Sequence, residues 1–241
     1  RNGASNFIGS ISNVSVKEVG QDWTSWGTGW NVGDNVATGN TSGNTNAFYQ
    51  EGLINDNFYK VTFTVSSVSA GGVRINVGGG GIHGIGIERT VAGTYTEYLQ
   101  SDGTKLYIQG RNSFVGSVTN ISVKEVGQGW TVTNGWSVDD TKATNDGSGG
   151  QIYPTSNSWT SGVTIKFQIT VSERTTGHIR IQNPSSTIYY VNNINTNNTF
   201  EYSFTTIDAN GWRIEAVSGF DGSIDNIVVQ ELKHDATNLM L

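Results

Sequence analysis

Phe7–Val19 reads "FIGSISNVSVKEV", Phe114–Val126 reads "FVGSVTNISVKEV", and Phe220–Leu232 reads "FDGSIDNIVVQEL". The copies start 107 and then 106 positions apart. That interval is the length of a small domain and longer than a solenoid unit, so each repeat is expected to own a core. A chain of 241 residues holds two such modules and two remnants. The boundaries that follow are 20–127 for module A and 128–233 for module B. Residues 1–19 then read as the closing strand of a preceding module, and 234–241 as a linker and first strand of a following one. An unaccompanied closing strand has bare edges, so residues 7–19 are expected to pair with a neighbouring chain.

Inside the motif, Val14 and Val16 alternate with Ser15 and Lys17, the pattern of a strand with one buried face. Ile11 is out of phase with Val14, as Val118 is with Ile121 and Ile224 with Ile227. One extra residue resets an alternation, which predicts a bulge near Asn13, Asn120 and Asn226. Gly9, Gly116 and Gly222 are expected to mark the turn before the strand. The rest of the module repeats as well. "GQDW" from Gly20 matches "GQGW" from Gly127, and "GWNVGDNVATGNTSGN" from Gly29 matches "GWSVDDTKATNDGSGG" from Gly135. "YKVTFTVSSV" from Tyr59 answers "TIKFQITVSE" from Thr164, and "VRINV" from Val73 answers "IRIQN" from Ile179. "TYTEYL" from Thr94 answers "TFEYSF" from Thr199, and "LYIQG" from Leu106 answers "WRIEA" from Trp212. Each segment is short, alternates with period two and is bounded by turn formers. No capped helical stripe interrupts them. The fold class is therefore all-β, as tandem jelly-roll β-sandwich modules of about eight strands each.

Composition narrows the function. A net charge of −6 without a Lys/Arg cluster speaks against nucleic acid, whose affinity comes largely from phosphate neutralisation. The apolar runs are too short to span a membrane, and no leader pattern is recognisable in a chain beginning at Arg1. The absence of cysteine leaves no disulfides, which suits synthesis in a reducing compartment followed or not by export.

The opening Trp, the "GW-x-V-(G/D)-D…AT" stretch, "YKVTFTV", "TYTEYL" and the closing motif together resemble the jelly-roll modules of bacteriophage virion and tail-fibre proteins. Those are similar to carbohydrate-binding modules with a galactose-binding-like fold. The resemblance covers Gly20 to Leu232. It implies a structural protein of a virion tail fibre, appendage or capsid decoration, located in the virion or outside the cell. Its partners would be copies of itself or other virion subunits. Weak attachment to host-surface glycans would gain strength from many sites along an array. The alternatives are a bacterial extracellular filament or adhesin module, and a non-catalytic accessory domain of a polysaccharide-degrading enzyme. The resemblance also implies a structural calcium beside the closing strand. The matching positions are Ser12-Asn13, Thr119-Asn120 and Asp225-Asn226. Calcium takes several carboxylate or carbonyl oxygens, so no cofactor is expected in module A, and Asp221 and Asp225 are the only candidates in module B.

Catalytic constellations are missing. His83, His178 and His234 are scattered, without an HExxH pattern or cysteine partners. His83 lies in a Gly-rich turn, and His178 is expected to open a strand at a sheet edge. The run Gly78–Gly81 is followed by neither Lys-Ser/Thr nor a helix, so it is no phosphate loop. Glu51 with Asp56, or Asp139 with Asp140, could form a glycosidase pair, but both read as solvated turns. The protein is not expected to be an enzyme. Glycan recognition needs exposed rings beside amides and carboxylates. Trp23, Trp130, Trp30 and Trp136 occupy equivalent places in both modules and read as core, as does Trp212. Trp26 in "WTSWGTGW" and Trp159 in "TSNSWTSG" read as loop residues, and Tyr153 aligns with Tyr49. Trp26, Trp159, Tyr153 and Tyr49 are the candidate glycan-binding residues, with a contact between modules or subunits as the competing use. Binding sites kept in duplicate would show one aromatic and amide set twice. The loop after Val77 shares nothing with its counterpart in module B, which favours scaffold repeats.

Overall fold

A computed structural model describes residues 22–33, 35–79, 84–185 and 187–232. All regular structure among these residues is β. Module A contains β1 (Thr24–Trp26), β2 (Trp30–Val32), β3 (Val36–Asn40), β4 (Ala47–Glu51), β5 (Phe58–Val77), β6 (Gly93–Gln100) and β7 (Lys105–Val126). Module B contains β8 (Trp130–Val132), β9 (Trp136–Val138), β10 (Ala143–Asp146), β11 (Gln151–Pro154), β12 (Thr164–Gln182), β13 (Tyr189–Ile194), β14 (Asn198–Thr205) and β15 (Arg213–Leu232). Strands of one module pair only with one another among the described residues. The chain is thus all-β, with two β-sandwich modules in tandem. The segments 1–19 and 234–241, with the bulge at Asn13, the turn at Gly9 and the pairing of residues 7–19, lie outside the described residues, as does His83.

Each module is built on one long ribbon. β5 and β7 pair antiparallel from Phe58↔Val126 to Val77↔Leu106, and β12 and β15 from Thr164↔Leu232 to Gln182↔Arg213. The segments read as separate short strands are therefore two halves of one strand of 19 to 22 residues. The ribbon folds over at its middle, and both halves bury their alternating apolar faces in one core. In module A, Val61, Phe63 and Val65 from one half share that core with Val73, Ile75 and Ile108 from the other. In module B, Phe167, Ile169 and Val171 do so with Ile179, Ile181 and Ile214.

The fold-over needs left-handed backbone on both strands. Gly71 (φ 61°) faces Asn112 and Ser113 (51° and 59°) in module A. Gly177 (66°) faces Ser218 and Gly219 (54° and 70°) in module B. The ladder changes register at these points, yet pairing resumes beyond them. Gly116 and Gly222 do not precede the closing strand as expected. They lie within it, where a Cβ would come within 2.7 Å of the Phe114 ring and 3.1 Å of the Phe220 ring respectively. The partner strand is closer still, with the Ser67 carbonyl oxygen at 2.1 Å and the Arg174 Cα at 2.8 Å, so close backbone approach and the two fully buried rings together require the glycines. The predicted bulges are present at both described copies. Thr62 and Thr64 oppose Ser122 and Thr119, and Gln168 and Thr170 oppose Val228 and Asp225, leaving one surplus residue each time. Asn120 and Asn226 take the positive φ there, 52° and 49°.

Shorter strands complete two sheets per module. One is β1-β4-β7-β5, the other β2-β3-β7-β5-β6. In module B the corresponding sheets are β8-β11-β15-β12-β13 and β9-β10-β15-β12-β14. His178 follows the fold-over inside β12, paired with Val217, rather than opening a strand.

The junction between modules is short. Only residues 127–129 separate β7 from β8. Phe58 and Val126 of module A are buried in the core cluster of module B. Asp140 accepts hydrogen bonds from the Lys60 ammonium and, at 3.3 Å, from the Tyr98 hydroxyl. The bond to Lys60 holds the Asp140 carboxyl below its usual value, and the same bond raises Lys60. A lowered carboxyl stabilises the fold above the ordinary carboxylate range, and that help is lost as pH falls through the lowered value. A raised ammonium helps below the ordinary lysine range, and that help is lost as pH rises through the raised value. Wild type and Asp140→Asn should therefore differ slightly in urea midpoint at about pH 7 and converge at about pH 2. A difference that persists in acid would show that the pair does not act through its charge.

Candidate functional site

The sheet β1-β4-β7-β5 turns one face to solvent. Leu106 and Ile108 point into the core, so Lys105, Tyr107 and Gln109 point out. Val73, Ile75 and Val77 point in, so Arg74 and Asn76 point out. Cross-strand register then sets the neighbours. Thr24, Tyr49, Tyr107 and Asn76 form one row across the four strands, and Trp26, Ala47, Gln109 and Arg74 form the next. Glu51 lies beside Lys105.

Three rings gather at one end of this face. Trp26 is 57% exposed, with its ring 5.5 Å from Tyr107, whose ring is 5.3 Å from Tyr49. They border a shallow recess of about 280 Å³ with Ser25 and Lys105. The Lys105 ammonium lies 4.4 Å over the Tyr49 ring and 3.3 Å from the Glu51 carboxylate. The hydrogen bond to Glu51 raises Lys105 above its usual value, so it is charged at neutral pH. Beside the rings lies a polar grid. Arg74 Nε (2.9 Å) and Asn76 Nδ2 (3.1 Å) both donate to Gln109 Oε1, and Gln109 Nε2 donates to the Asn44 carbonyl at 2.8 Å. Partial burial, and then the nearby Arg111 cation, pull Arg74 below its usual value. Asn76 is 6% exposed, and its Oδ1 is buried with no donor.

Module B repeats the grid on the equivalent face. Register places Tyr153, Glu215, Arg180 and Gln182 where module A has Tyr49, Gln109, Arg74 and Asn76. Gln182 is 2% exposed, and its Oε1 also has no donor. The rings are not repeated. Thr133 takes the place of Trp26 and Arg213 that of Tyr107. A shared amide and arginine set thus exists, but on strands rather than in the divergent loops.

Of the residues singled out in the sequence, Trp26 and Tyr49 come together. Tyr153 occupies the equivalent place in module B without a neighbouring tryptophan. Trp159 does not join a surface site. Its loop folds back onto the sandwich, where its ring meets Tyr190 at 5.4 Å and Phe204 at 5.9 Å, and its Nε1 is buried. Tyr107 and Lys105 escaped the sequence reading. The alternation of "KLYIQG" was the available signal, since it turns both away from Leu106 and Ile108.

The paired carboxylates serve local structure. Asp139 closes a turn by accepting from the Thr141 and Lys142 amides at 2.7 and 2.9 Å, while Asp140 holds the junction. Glu51 bonds Lys105, and Asp56 accepts from Asn55. Asp221 accepts from the Thr175 hydroxyl at 2.7 Å, and Asp225 lies against Asn226. Asp221 and Asp225 are four positions apart along one strand, about 13 Å at an ordinary rise, too far for one calcium ion to join them. No cluster of three or more potential metal ligands occurs among the described residues.

No protein-family model matches the sequence, and the search of curated proteins finds no match. Among solved structures, the chain is similar to the N-terminal CBM22-1-CBM22-2 tandem domain from Paenibacillus barcinonensis Xyn10C. The identity is 9%, the likeness covers 88% of this chain and 94% of that one, and the TM-score is 0.34.

Proposed function

We propose that the chain is a non-catalytic glycan-binding protein whose site is the open face of module A. The observation that carries this reading is the exposed row of Trp26, Tyr107 and Tyr49 around a shallow recess, beside the Arg74–Gln109 polar grid. Flat rings cover the apolar face of a sugar. Lys105, Glu51 and Arg74 supply polar contacts at the margins. An open, shallow platform admits an internal stretch of a polysaccharide as readily as its end.

The test is titration of the full chain with neutral gluco-, galacto-, manno- and xylo-oligosaccharides, read by calorimetry. At least one should bind, and Trp26→Ala should weaken it. Absence of binding by all of them, and by their polymers in affinity gels, would overturn the reading.

The finer proposal places the chain in a virion fibre or comparable surface appendage, as a building block that also attaches to host glycans. Support comes from the junction, where a three-residue connection and the burial of Phe58 and Val126 favour a fixed tandem unit. A fixed spacing lets weak sites along an array act together. Imaging of particles or filaments bearing the chain tests the location. Chains found only as soluble accessories of a degradative enzyme would sink it.

A further inference from the structure

In module B the ring at the centre of the platform is replaced by a cation. Arg213 pairs directly with Gln182 across β12 and β15, and Tyr153 follows Ile152, whose partner Ile214 adjoins Arg213. The other arginine of the face is already matched. Arg180 Nε donates to Glu215 Oε2 at 2.7 Å, Nη2 lies 2.7 Å from the same oxygen, and the guanidinium covers the Tyr189 ring at 4.3 Å. The Arg213 side chain has no hydrogen-bond or ion-pair partner among the described residues, and its Nε is buried. Gln182 Oε1, beside it and 98% hidden with its residue, has no donor either. One face therefore presents an unmatched guanidinium with a flanking tyrosine, over a buried amide that leaves its own acceptor unpaired.

We propose that this face of module B is a second site that takes a carboxylated sugar, with Arg213 as the residue that selects it. The inference rests on the glycan-binding reading and adds a division of labour to it. A guanidinium fork fits the two oxygens of a carboxylate, a match that a neutral hydroxyl does not provide. Tyr153, on the neighbouring strand of the same face, borders the sugar ring. Module A has Tyr107 at the position of Arg213, and the Lys105 ammonium in its recess is already paired with Glu51. Uronic and sialic acids both carry such a carboxylate, and the probes separate the two.

The experiment is calorimetric titration of the full chain with tetragalacturonate, its methyl ester, sialyllactose and lactose. Wild type, Trp26→Ala, Arg213→Gln and Arg213→Lys are compared. One acidic probe should bind wild type and Trp26→Ala alike, and bind Arg213→Gln at least tenfold more weakly. Arg213→Lys should recover part of the loss, because it restores charge without the fork. The methyl ester, or lactose for the sialyl probe, should bind at least tenfold more weakly to wild type. Should Arg213→Gln fail to fold, the comparison of acid with neutral probe on the unaltered chain carries the test. Equal binding of acidic and neutral probes, or an acid affinity unchanged by Arg213→Gln, overturns the inference. Neutral binding that depends on Trp26 would then leave the proposed function standing, whereas no carbohydrate binding at all would end both.

Discussion

Gly177→Ala should destabilise module B by about 3 kcal/mol, the sum of a left-handed backbone penalty and a forced backbone shift. Gly177 sits at the fold-over of β12 with φ 66°. A Cβ there would be 2.2 Å from the Phe220 nitrogen and 2.4 Å from its Cα. Both atoms are backbone, so no rotamer change relieves the contact. Movement of β12 away from β15 would pull Phe220 out of the core, where it is fully buried. Gly162→Ala is the matching control. It has φ 78° but no atom within 4 Å of the added carbon, so only the backbone penalty of about 1 kcal/mol applies. Urea unfolding followed by tryptophan fluorescence reads the difference, roughly 1 M or more in midpoint between the two variants. Equal midpoints would mean that the ribbon does not fold over at Gly177. Gly71→Ala should behave as Gly177→Ala does, because its Cβ would meet the Arg111 carbonyl oxygen at 2.3 Å.

Replacing both Trp26 and Tyr107 with alanine should lower affinity for the best neutral oligosaccharide on the order of a hundredfold, with roughly tenfold for each alone. The two rings touch one another, so the double variant should deviate from the product of the singles. Stability should hardly change on Trp26→Ala, since that side chain is mostly in water. Trp159→Ala makes the opposite prediction. Its ring is wedged against Tyr190 and Phe204, so about 2–3 kcal/mol of stability should be lost while neutral-sugar affinity stays as it was. Calorimetry and urea titration on the same samples separate the two outcomes. Loss of affinity in Trp159→Ala with no effect of Trp26→Ala would transfer the site to module B's loop.

Strand content, the repeat and the two bulges were legible because each is written in local alternation. Val118 and Ile121 cannot both face one core without a surplus residue between them, and the same holds for Ile224 and Ile227. Strand length was not legible. A Gly or Asn between two alternating runs reads as a turn, yet Gly71 and Gly177 permit the chain to bend while its ladder continues. Whether pairing resumes depends on the partner strand, which lies some 40 residues away at Asn112 and Ser218.

The site divided in the same way. The sequence alone determined an all-β tandem repeat, the buried places of Trp136 and Trp212, and the candidacy of Trp26 and Tyr49, because periodicity and internal equivalence are local properties. Only the tertiary structure decided that Tyr107, Lys105 and Asn76 join Trp26 and Tyr49, that Trp159 turns inward, and that Arg213 is left without a partner. Those outcomes depend on cross-strand register and on where a loop comes to rest. Both are set by contacts between residues far apart in the chain, and no short stretch of sequence encodes them.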